Sequence, residues 1–363
     1  MPEWANYCLV RVIYCLIVYV FPRKHVFILG TLVAFRCTVY CFILCDAPLF
    51  KFITFVVCIL ASVNVFAESI NTPLSPNEAF QEGEILIRQF KDKQALPYLK
   101  YAADNGSPSG AFLYGKMRHS MMVVTRDEHE SNEYIEYAAK QGYLPAIRWL
   151  YEHDDGVLQR YYYNALILLG RKSPGKAFYL LADYYRAVDV ERYEFYLSQA
   201  SKRRYPPALI ELAKRLDEGK GPYLVPSVRV RRTAQTYLSA AQTHDVPAMR
   251  AYIQWLEKEH QFTKAFHWQF EALKAGDILQ LASLGLIYAK PPLNYSFIKT
   301  DYTKSNLLLE KYINTAGTER FKSLYKKVQQ RYQRNLEKCT LDSHLCNSGV
   351  GELKNVMNKR FLY

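Results

Sequence analysis

Cysteine is scarce in most of this chain. Six of the eight cysteines lie in the N-terminal region that ends at Cys58, and only Cys339 and Cys346 follow. This scarcity excludes a dense disulfide framework and a four-cysteine zinc site from the body of the protein. One close pair in an otherwise cysteine-free body is typical of an oxidising compartment, so we predict a disulfide between Cys339 and Cys346. A zinc site that includes His344 would lack a fourth ligand, and two free thiols are the remaining alternative.

The chain also lacks complete catalytic and metal-binding motifs. Its eight histidines are scattered, and the polar stretch Thr125–Glu133 is explained by a solvated loop and the start of a helix. A Ser-x-x-Lys motif occurs at Ser173–Lys176, Ser296–Lys299 and Ser323–Lys326, but the S-D-N and K-T-G elements that accompany it in β-lactam-binding enzymes are absent. We therefore predict no enzymatic activity, no cofactor and no metal site.

Positive charge, in contrast, is abundant, with a formal net charge of +13. Basic residues cluster at positions 202–204, 229–232 and 322–334. Such an excess favours anionic partners, namely lipid headgroups, acidic glycans or nucleic acid. A solvated surface is the simpler interpretation of each cluster. Nucleic acid would be excluded for an exported protein.

Positions 1–67 form an apolar N-terminal region with runs at positions 8–21, 26–45 and 52–66. Positions 49–67, LFKFITFVVCILASVNVFA, have the pattern of a secretory signal peptide that is cut after Ala67. Two interpretations stay open. Either translation starts near Leu49 and residues 1–48 are not made, or residues 8–66 are membrane spans that anchor the body. Both predict an exported, periplasmic or envelope location for the residues that follow.

The stretch Gly170–Ala177, GRKSPGKA, raises the question of nucleotide binding. An apolar run precedes it and a helical pattern follows it, as in a phosphate-binding P-loop. A P-loop, however, needs Ser or Thr after its lysine to bind Mg²⁺, and here that residue is Ala177. We therefore favour a second interpretation, in which the apolar run is a helix and the stretch is a turn between two helices.

An internal repeat supports that interpretation. Residues 98–115, YLKYAADNGSPSGAFLYG, and 134–151, YIEYAAKQGYLPAIRWLY, share two small residues, a hinge glycine and a small residue four positions later. The remaining copies become apparent when the chain is aligned on that hinge. The seven hinges are Gly106, Gly142, Ser173, Arg204, His244, Gly276 and Gly317. We predict that each unit forms two helices and that the hinge residue caps the C-terminus of the first helix. Neighbouring units must stack to complete a core.

This pattern, A-A-x-x-G-x-x-x-A, resembles the Sel1-like repeat family, which is related to tetratricopeptide repeats. The resemblance covers residues 78–327 and includes a Gly-x-Gly turn at Gly219 and Gly221. It implies an all-α fold, a right-handed α-solenoid of about seven helix-turn-helix repeats over residues 78–330, followed by a helical cap and tail over 331–363 that holds the cysteine pair. It also implies an adaptor or scaffold, and bacterial members are often exported to envelope complexes.

The sequence therefore predicts a non-enzymatic scaffold of the bacterial cell envelope that binds a protein or an anionic polymer. Residues five positions before five of the seven hinges project away from the apolar stripe, so we select them as candidate contact residues. They are Tyr101, Tyr137, Gln199, Ser239 and Glu271. Packing of these tyrosines between repeats is an alternative. The alternative functions are an exported hydrolase of β-lactam-binding type and a membrane-anchored assembly or sensor protein.

Overall fold

The computed structural model describes residues 74–120, 127–153, 158–221, 225–358 and 361. Contacts divide the chain into two units at position 73, and all described residues belong to the second unit. The predicted signal peptide or membrane segment within residues 1–67 lies outside the described residues. Within the described ranges, no helix combines the length and apolarity needed to cross a membrane.

The described residues form sixteen α-helices in succession, with two short 3-10 helices and no strand. In chain order the α-helices are α1 (Pro76–Arg88), α2 (Asp92–Asp104), α3 (Pro108–His119), α4 (Glu128–Lys140), α5 (Leu144–His153), α6 (Gln159–Lys172), α7 (Pro174–Tyr185), α8 (Val190–Lys202), α9 (Pro206–Asp217), α10 (Pro226–Ala241), α11 (Val246–Lys258), α12 (Phe262–Lys274), α13 (Ile278–Ala289), α14 (Tyr302–Thr315), α15 (Lys322–Leu341) and α16 (Leu353–Met357). The 3-10 helices are Leu293–Tyr295 and Ser343–Cys346. The predicted all-α fold is confirmed for this part of the chain.

The helices pack as a tandem array. We call the even-numbered helices α2 to α14 the first helices of the repeats, and the odd-numbered helices α3 to α15 the second helices. Each second helix packs against the first helix before it, and α3 to α13 also pack against the first helix that follows. Because every repeat packs its apolar surface against its neighbours, the core extends along the array as successive hydrophobic clusters, and the fold is an α-solenoid.

Small side chains allow the helices to approach closely on both sides of the hinges. Four residues before a hinge, an alanine is completely buried in five of the repeats. These alanines are Ala102, Ala138, Ala200, Ala240 and Ala272. Four residues after a hinge, Gly110 is so close to the preceding helix that a Cβ atom there would lie 2.7 Å from the Ala102 Cβ. The predicted stripe of small residues thus forms the contact between paired helices.

Five of the seven predicted hinges adopt the left-handed backbone conformation. Their φ angles are +86° at Gly106, +78° at Gly142, +54° at Arg204, +60° at His244 and +92° at Gly276. This conformation ends an α-helix because it turns the next amides back to the last free carbonyls. The hinge prediction is therefore confirmed at these positions, even where arginine and histidine replace glycine.

The amides around Gly106 show how such an end is satisfied. The Gly106 N–H donates to the Ala103 carbonyl at 3.0 Å, and the Ser107 N–H donates to the Ala102 carbonyl at 2.9 Å. This pair of bonds is the Schellman motif. Phe90 and His260 also have positive φ angles, of 63° and 56°, at the ends of α1 and α11. Second helices can therefore end in the same way as first helices.

The other two predicted hinges, Ser173 and Gly317, do not adopt the left-handed conformation. Ser173 has a φ of −142° and is the single residue between α6 and α7, because Pro174 starts the next helix immediately. Gly317 is fixed by packing instead, since a Cβ atom there would clash with the Phe90 carbonyl oxygen. The Gly317 N–H donates to the Gln89 carbonyl at 2.7 Å. The last repeat therefore follows a different register.

The GRKSPGKA stretch is helical on both sides of Ser173. Gly170 lies inside α6 and Gly175 lies inside α7, so no strand leads into this turn. A Cβ atom on Gly170 would lie 3.8 Å from the Ala177 Cβ, where α6 and α7 approach each other. The structure therefore confirms the inter-helix turn and excludes a P-loop at this position.

The end of the array contacts its beginning. Phe90, after α1, packs against Phe321, before α15, with ring centroids 4.8 Å apart. The Lys93 amide donates to Glu319 at 2.8 Å, and the Gln89 side chain donates to the Phe361 carbonyl at 2.9 Å. Residues that are distant in the sequence thus meet, so that the array formed by the described residues closes on itself.

Candidate functional site

The predicted contact residues lie at equivalent positions on successive first helices. Positions five, nine and twelve residues before a hinge fall on one side of a helix, because three- and four-residue steps return to the same face. We call this side the first-helix face. The candidates therefore occupy a line along the array rather than one pocket.

The two candidate tyrosines differ in accessibility. Tyr101 is half-buried, and its hydroxyl donates to the Leu74 carbonyl at 3.1 Å. Tyr137 is 36% exposed, and a Cβ atom on Gly106 would lie 3.7 Å from its hydroxyl. Tyr101 therefore secures the segment that leads into α1, whereas Tyr137 has a larger surface available for a partner.

The three polar candidates have local partners. Arg203 donates to the Gln199 carbonyl at 3.0 Å and to its side-chain oxygen at 3.2 Å. The Ser239 carbonyl accepts from Arg204 at 3.4 Å. Glu271 accepts from Lys274 at 3.1 Å. These positions present polar groups that are already hydrogen-bonded, so they suit the polar margin of a contact surface better than its centre.

Adjacent repeats touch along this line. The hinge Gly106 of one repeat lies beside Tyr137 of the next, and the hinge Arg204 contacts Ser239 of the repeat that follows it. In both cases the residue reached is five positions before the next hinge. The first-helix face is therefore continuous across these two junctions.

Three apolar side chains on this face were not selected from the sequence. Leu168 is 60% exposed, Tyr161 is 49% exposed and Phe195 is 56% exposed. Leu168 and Tyr161 lie five and twelve residues before Ser173, and Phe195 lies nine residues before Arg204. We call these three residues the α6–α8 face. The register rule that selected Tyr137 would have found Leu168, because it is the equivalent position in the third repeat.

A cleft bounded by α7, α8 and α9 has charged walls. Arg186 donates to both carboxylate oxygens of Glu211, at 2.5 and 2.9 Å, and Tyr193 donates to the same carboxylate at 2.6 Å. Burial alone would raise the pKa of Glu211, but the hydrogen bonds from Arg186 and Tyr193 outweigh it and lower that pKa. Burial and the bond to Glu211 raise the pKa of Tyr193 to about 12. At neutral pH this is a satisfied ion pair with a neutral phenol, which joins neighbouring repeats.

The Ser-x-x-Lys motifs lie in three separate places. Ser173 and Lys176 flank the α6–α7 turn, the second motif follows the first 3-10 helix, and the third opens α15. All six Ser and Lys side chains are exposed. Within the described ranges, no group of three His, Cys, Asp or Glu side chains is arranged to hold a metal ion.

The polar stretch Thr125–Glu133 begins a helix, as expected for residues 127–133, the part that the structure describes. Asp127 caps α4 by accepting from the Glu130 amide at 3.0 Å. Glu130 itself accepts from Tyr114 at 2.9 Å and from Arg118 at 2.8 Å. These carboxylates connect α3 to α4.

The two cysteines of the body meet where α15 ends. Cys339 and Cys346 are joined by a disulfide, with their Cα atoms 5.6 Å apart. The bond links the last turn of α15 to the 3-10 helix Ser343–Cys346. It therefore fixes the direction in which the chain leaves the array.

No protein-family model matches this chain, and no curated protein matches its sequence. Solved structures that are similar to it include the following three. A protective antigen of uropathogenic Escherichia coli strains with an SLR fold is 15% identical, with a TM-score of 0.37, over 79% of this chain and 62% of that protein's chain.

The second is a Sel1 repeat protein from Oxalobacter formigenes, which is 18% identical, with a TM-score of 0.37, over 78% of this chain and 86% of that one. The third is an immunity protein from Pseudomonas aeruginosa, which is 12% identical, with a TM-score of 0.35, over 73% of this chain and 84% of that one. This chain is an all-α array of tandem helical hairpins whose repeat pattern resembles that of Sel1-like repeats.

Proposed function

We propose that this protein is a non-enzymatic scaffold of the bacterial cell envelope that binds a protein partner through the α6–α8 face. The observation that supports this proposal is the exposure of Leu168, Phe195 and Tyr161, each about half accessible, on successive first helices. Exposed apolar side chains that form a patch on a protein surface mark contact sites. Burial of one such side chain by a partner contributes roughly 1.5–3 kcal/mol.

The neighbouring residues give this face the composition of a binding surface. Tyr137 extends it on one side with an amphipathic ring, which suits contact surfaces because it combines a rigid apolar body with a polar tip. Gln199 lies on α8 itself, and Ser239 occupies the equivalent position on the first helix that follows, α10. An apolar centre with a polar margin is the usual arrangement of a protein interface.

The test is affinity capture from solubilised envelope with the full chain as bait. In the test variant, Leu168→Ser and Phe195→Ser remove the apolar centre of the face. The matched control is Leu293→Ser, because Leu293 is 88% exposed but lies outside the first helices. We expect one identified partner to be retained by the wild type and the control and lost by the test variant. Equal retention by all three would contradict the proposal.

The envelope location rests on the apolar N-terminal region, and N-terminal sequencing of the purified protein tests it. A chain that begins at Glu68 supports export with removal of the signal peptide. A chain that retains residues 8–66 and extracts only with detergent supports membrane anchoring instead. A chain that retains them and is recovered from the soluble cytoplasmic fraction contradicts both forms of the proposal.

The absence of enzymatic activity is tested separately with β-lactam substrates. Ser173 and Lys176 form the first of the three Ser-x-x-Lys motifs. Turnover by the wild type that is abolished in Ser173→Ala would therefore contradict the proposal that the protein is not an enzyme. We expect no turnover by the wild type.

A further inference from the structure

The outer side of α15 is strongly basic. Lys322, Lys326, Lys327 and Arg334 are all exposed on it, and the only acidic residue of the helix is Glu337. We call these four cations the α15 basic face. Positions 327 and 334 are seven residues apart and therefore lie on one line along the helix, with 322 and 326 beside them.

Glu337 is the only acid among these cations along α15, so the helix keeps an excess of positive charge. None of the four forms an ion pair with a described acidic residue. Some cations elsewhere in the array are paired with acids, as Lys258 is with Asp217 at 2.7 Å. Like charges placed three or four residues apart on a helix repel each other. The α15 basic face therefore carries a local charge that is available to an external anion.

Two exposed leucines adjoin the basic face. Leu341, the last residue of α15, is 88% exposed and lies seven residues beyond Arg334, on the same line of the helix. Leu345 is 45% exposed on the 3-10 helix that follows. The disulfide between Cys339 and Cys346 holds this 3-10 helix against the end of α15. A row of cations is thus followed by a fixed pair of apolar side chains.

We propose that α15 is a peripheral docking surface for a bilayer that contains anionic phospholipid. The four cations contact the headgroup phosphates, while Leu341 and Leu345 enter the boundary between headgroups and acyl chains. Interfacial segments bind through this combination of buried apolar area and attraction to anionic lipid. A soluble acidic glycan would account for the cations but would leave both leucines in water, so the bilayer is the better match.

The experiment measures sedimentation of the full chain with vesicles of phosphatidylcholine, with and without phosphatidylglycerol. The apolar N-terminal region is present in every sample, so the quantity compared is the gain in binding that phosphatidylglycerol produces. Each basic residue near an anionic surface strengthens binding about fivefold. The variant Lys326→Gln, Lys327→Gln, Arg334→Gln should therefore reduce this gain about 100-fold, and added salt should reduce it in the wild type.

A matched control removes three exposed cations elsewhere. The variant Arg171→Gln, Lys172→Gln, Lys176→Gln alters the α6–α7 turn by the same total charge. We expect it to keep the wild-type gain. An equal loss in this control would overturn the proposal, because binding would then follow net charge rather than α15. Circular dichroism of each variant checks that it remains helical.

A second pair of measurements separates a bilayer from a soluble polyanion. The variant Leu341→Ser, Leu345→Ser should lose vesicle binding while it keeps wild-type binding to heparin in solution. If it binds vesicles as the wild type does, the leucines do not enter a bilayer and the proposal is overturned in favour of an electrostatic site for soluble polyanions. These variants leave Leu168 and Phe195 unchanged, so the outcome is independent of the protein-binding proposal.

Discussion

Arg320 donates two hydrogen bonds to Asp92, at 2.6 and 2.5 Å, although the two residues are 228 positions apart. Asp92 is the first residue of α2 and is almost completely buried, whereas Arg320 precedes α15 and is 38% exposed. The pair joins the first repeat to the last. Bidentate contacts of this kind fix the geometry of both partners, so this pair determines how the array closes.

The first prediction concerns this pair. Asp92→Asn removes the charge that Arg320 contacts and should lower the free energy of unfolding by about 2–3 kcal/mol, because a partly buried cation loses its partner. Urea denaturation followed by circular dichroism measures the loss. Arg192→Gln is the control, since its pair with Asp189 is exposed and screened by solvent and should contribute much less to stability. Equal losses in the free energy of unfolding would contradict a larger contribution to stability from the Asp92–Arg320 pair.

A second prediction distinguishes two glycines by backbone conformation. Gly142 has a φ of +78° with no atom within 4 Å of a Cβ position, so Gly142→Ala should cost about 1–2 kcal/mol from backbone strain alone. Gly170 lies inside α6, where Gly170→Ala should stabilise the helix by up to about 1 kcal/mol. Thermal unfolding of the two variants should therefore shift in opposite directions. Shifts in the same direction would contradict the assignment of Gly142 as a hinge.

A third prediction tests the close contact between paired helices. Gly110→Ala places a methyl group 2.7 Å from the Ala102 Cβ and 3.1 Å from the Ala103 amide nitrogen. Since the backbone of both helices must move, we expect a loss of about 1–3 kcal/mol in unfolding free energy. Gly349→Ala has no atom within 4 Å of its Cβ position and serves as the control. If the two variants unfold at the same denaturant midpoint, the contact at Gly110 is not tight enough to exclude a methyl group.

A fourth prediction concerns alkaline pH. Burial raises the pKa of Tyr312 to about 12, and burial with the nearby Asp217 and Glu218 raises the pKa of Tyr237 to about 12. In the unfolded chain these phenols ionise at about pH 10. Because the folded state retains the protons, this stabilisation is complete below about pH 10 and is lost as pH rises towards about 12.

Thermal unfolding across this pH range measures the loss, with phenolate absorbance as a second readout. Tyr312→Phe should reduce the alkaline loss, since its hydroxyl has no hydrogen-bond partner among the described residues and its ring remains. Stability that stays constant to about pH 12 would contradict the burial of these hydroxyls.

The fold could be predicted because its information is local. The stripe of small residues and the hinge glycines recur from one helix pair to the next, and each has a direct backbone consequence. Even Arg204 and His244 were placed correctly, since the repeat alignment outweighed their weak intrinsic preference for the left-handed conformation. Phe90 and His260 adopt it outside that alignment, and nothing in their side chains indicates it.

The closing contacts and the exposed surface could not be predicted in the same way. Asp92 and Arg320 meet because the rotations between all the intervening repeats add up to bring the two ends together. A local sequence pattern does not predict this total rotation. For the candidate site, the register identified the face that includes Tyr137, which stays a predicted contact residue. The register does not report accessibility, so the exposure of Leu168 and the partial burial of Tyr101 emerged only from the structure.

The contact between the two ends has an evolutionary consequence. An open repeat protein tolerates duplication or loss of a unit, because each unit touches only its neighbours. Here, one additional pair of helices, each about 8–10 Å from the next, would displace Arg320 from Asp92 and expose Phe90. We expect relatives of this protein to vary in their loops and surface residues while they preserve the number of repeats.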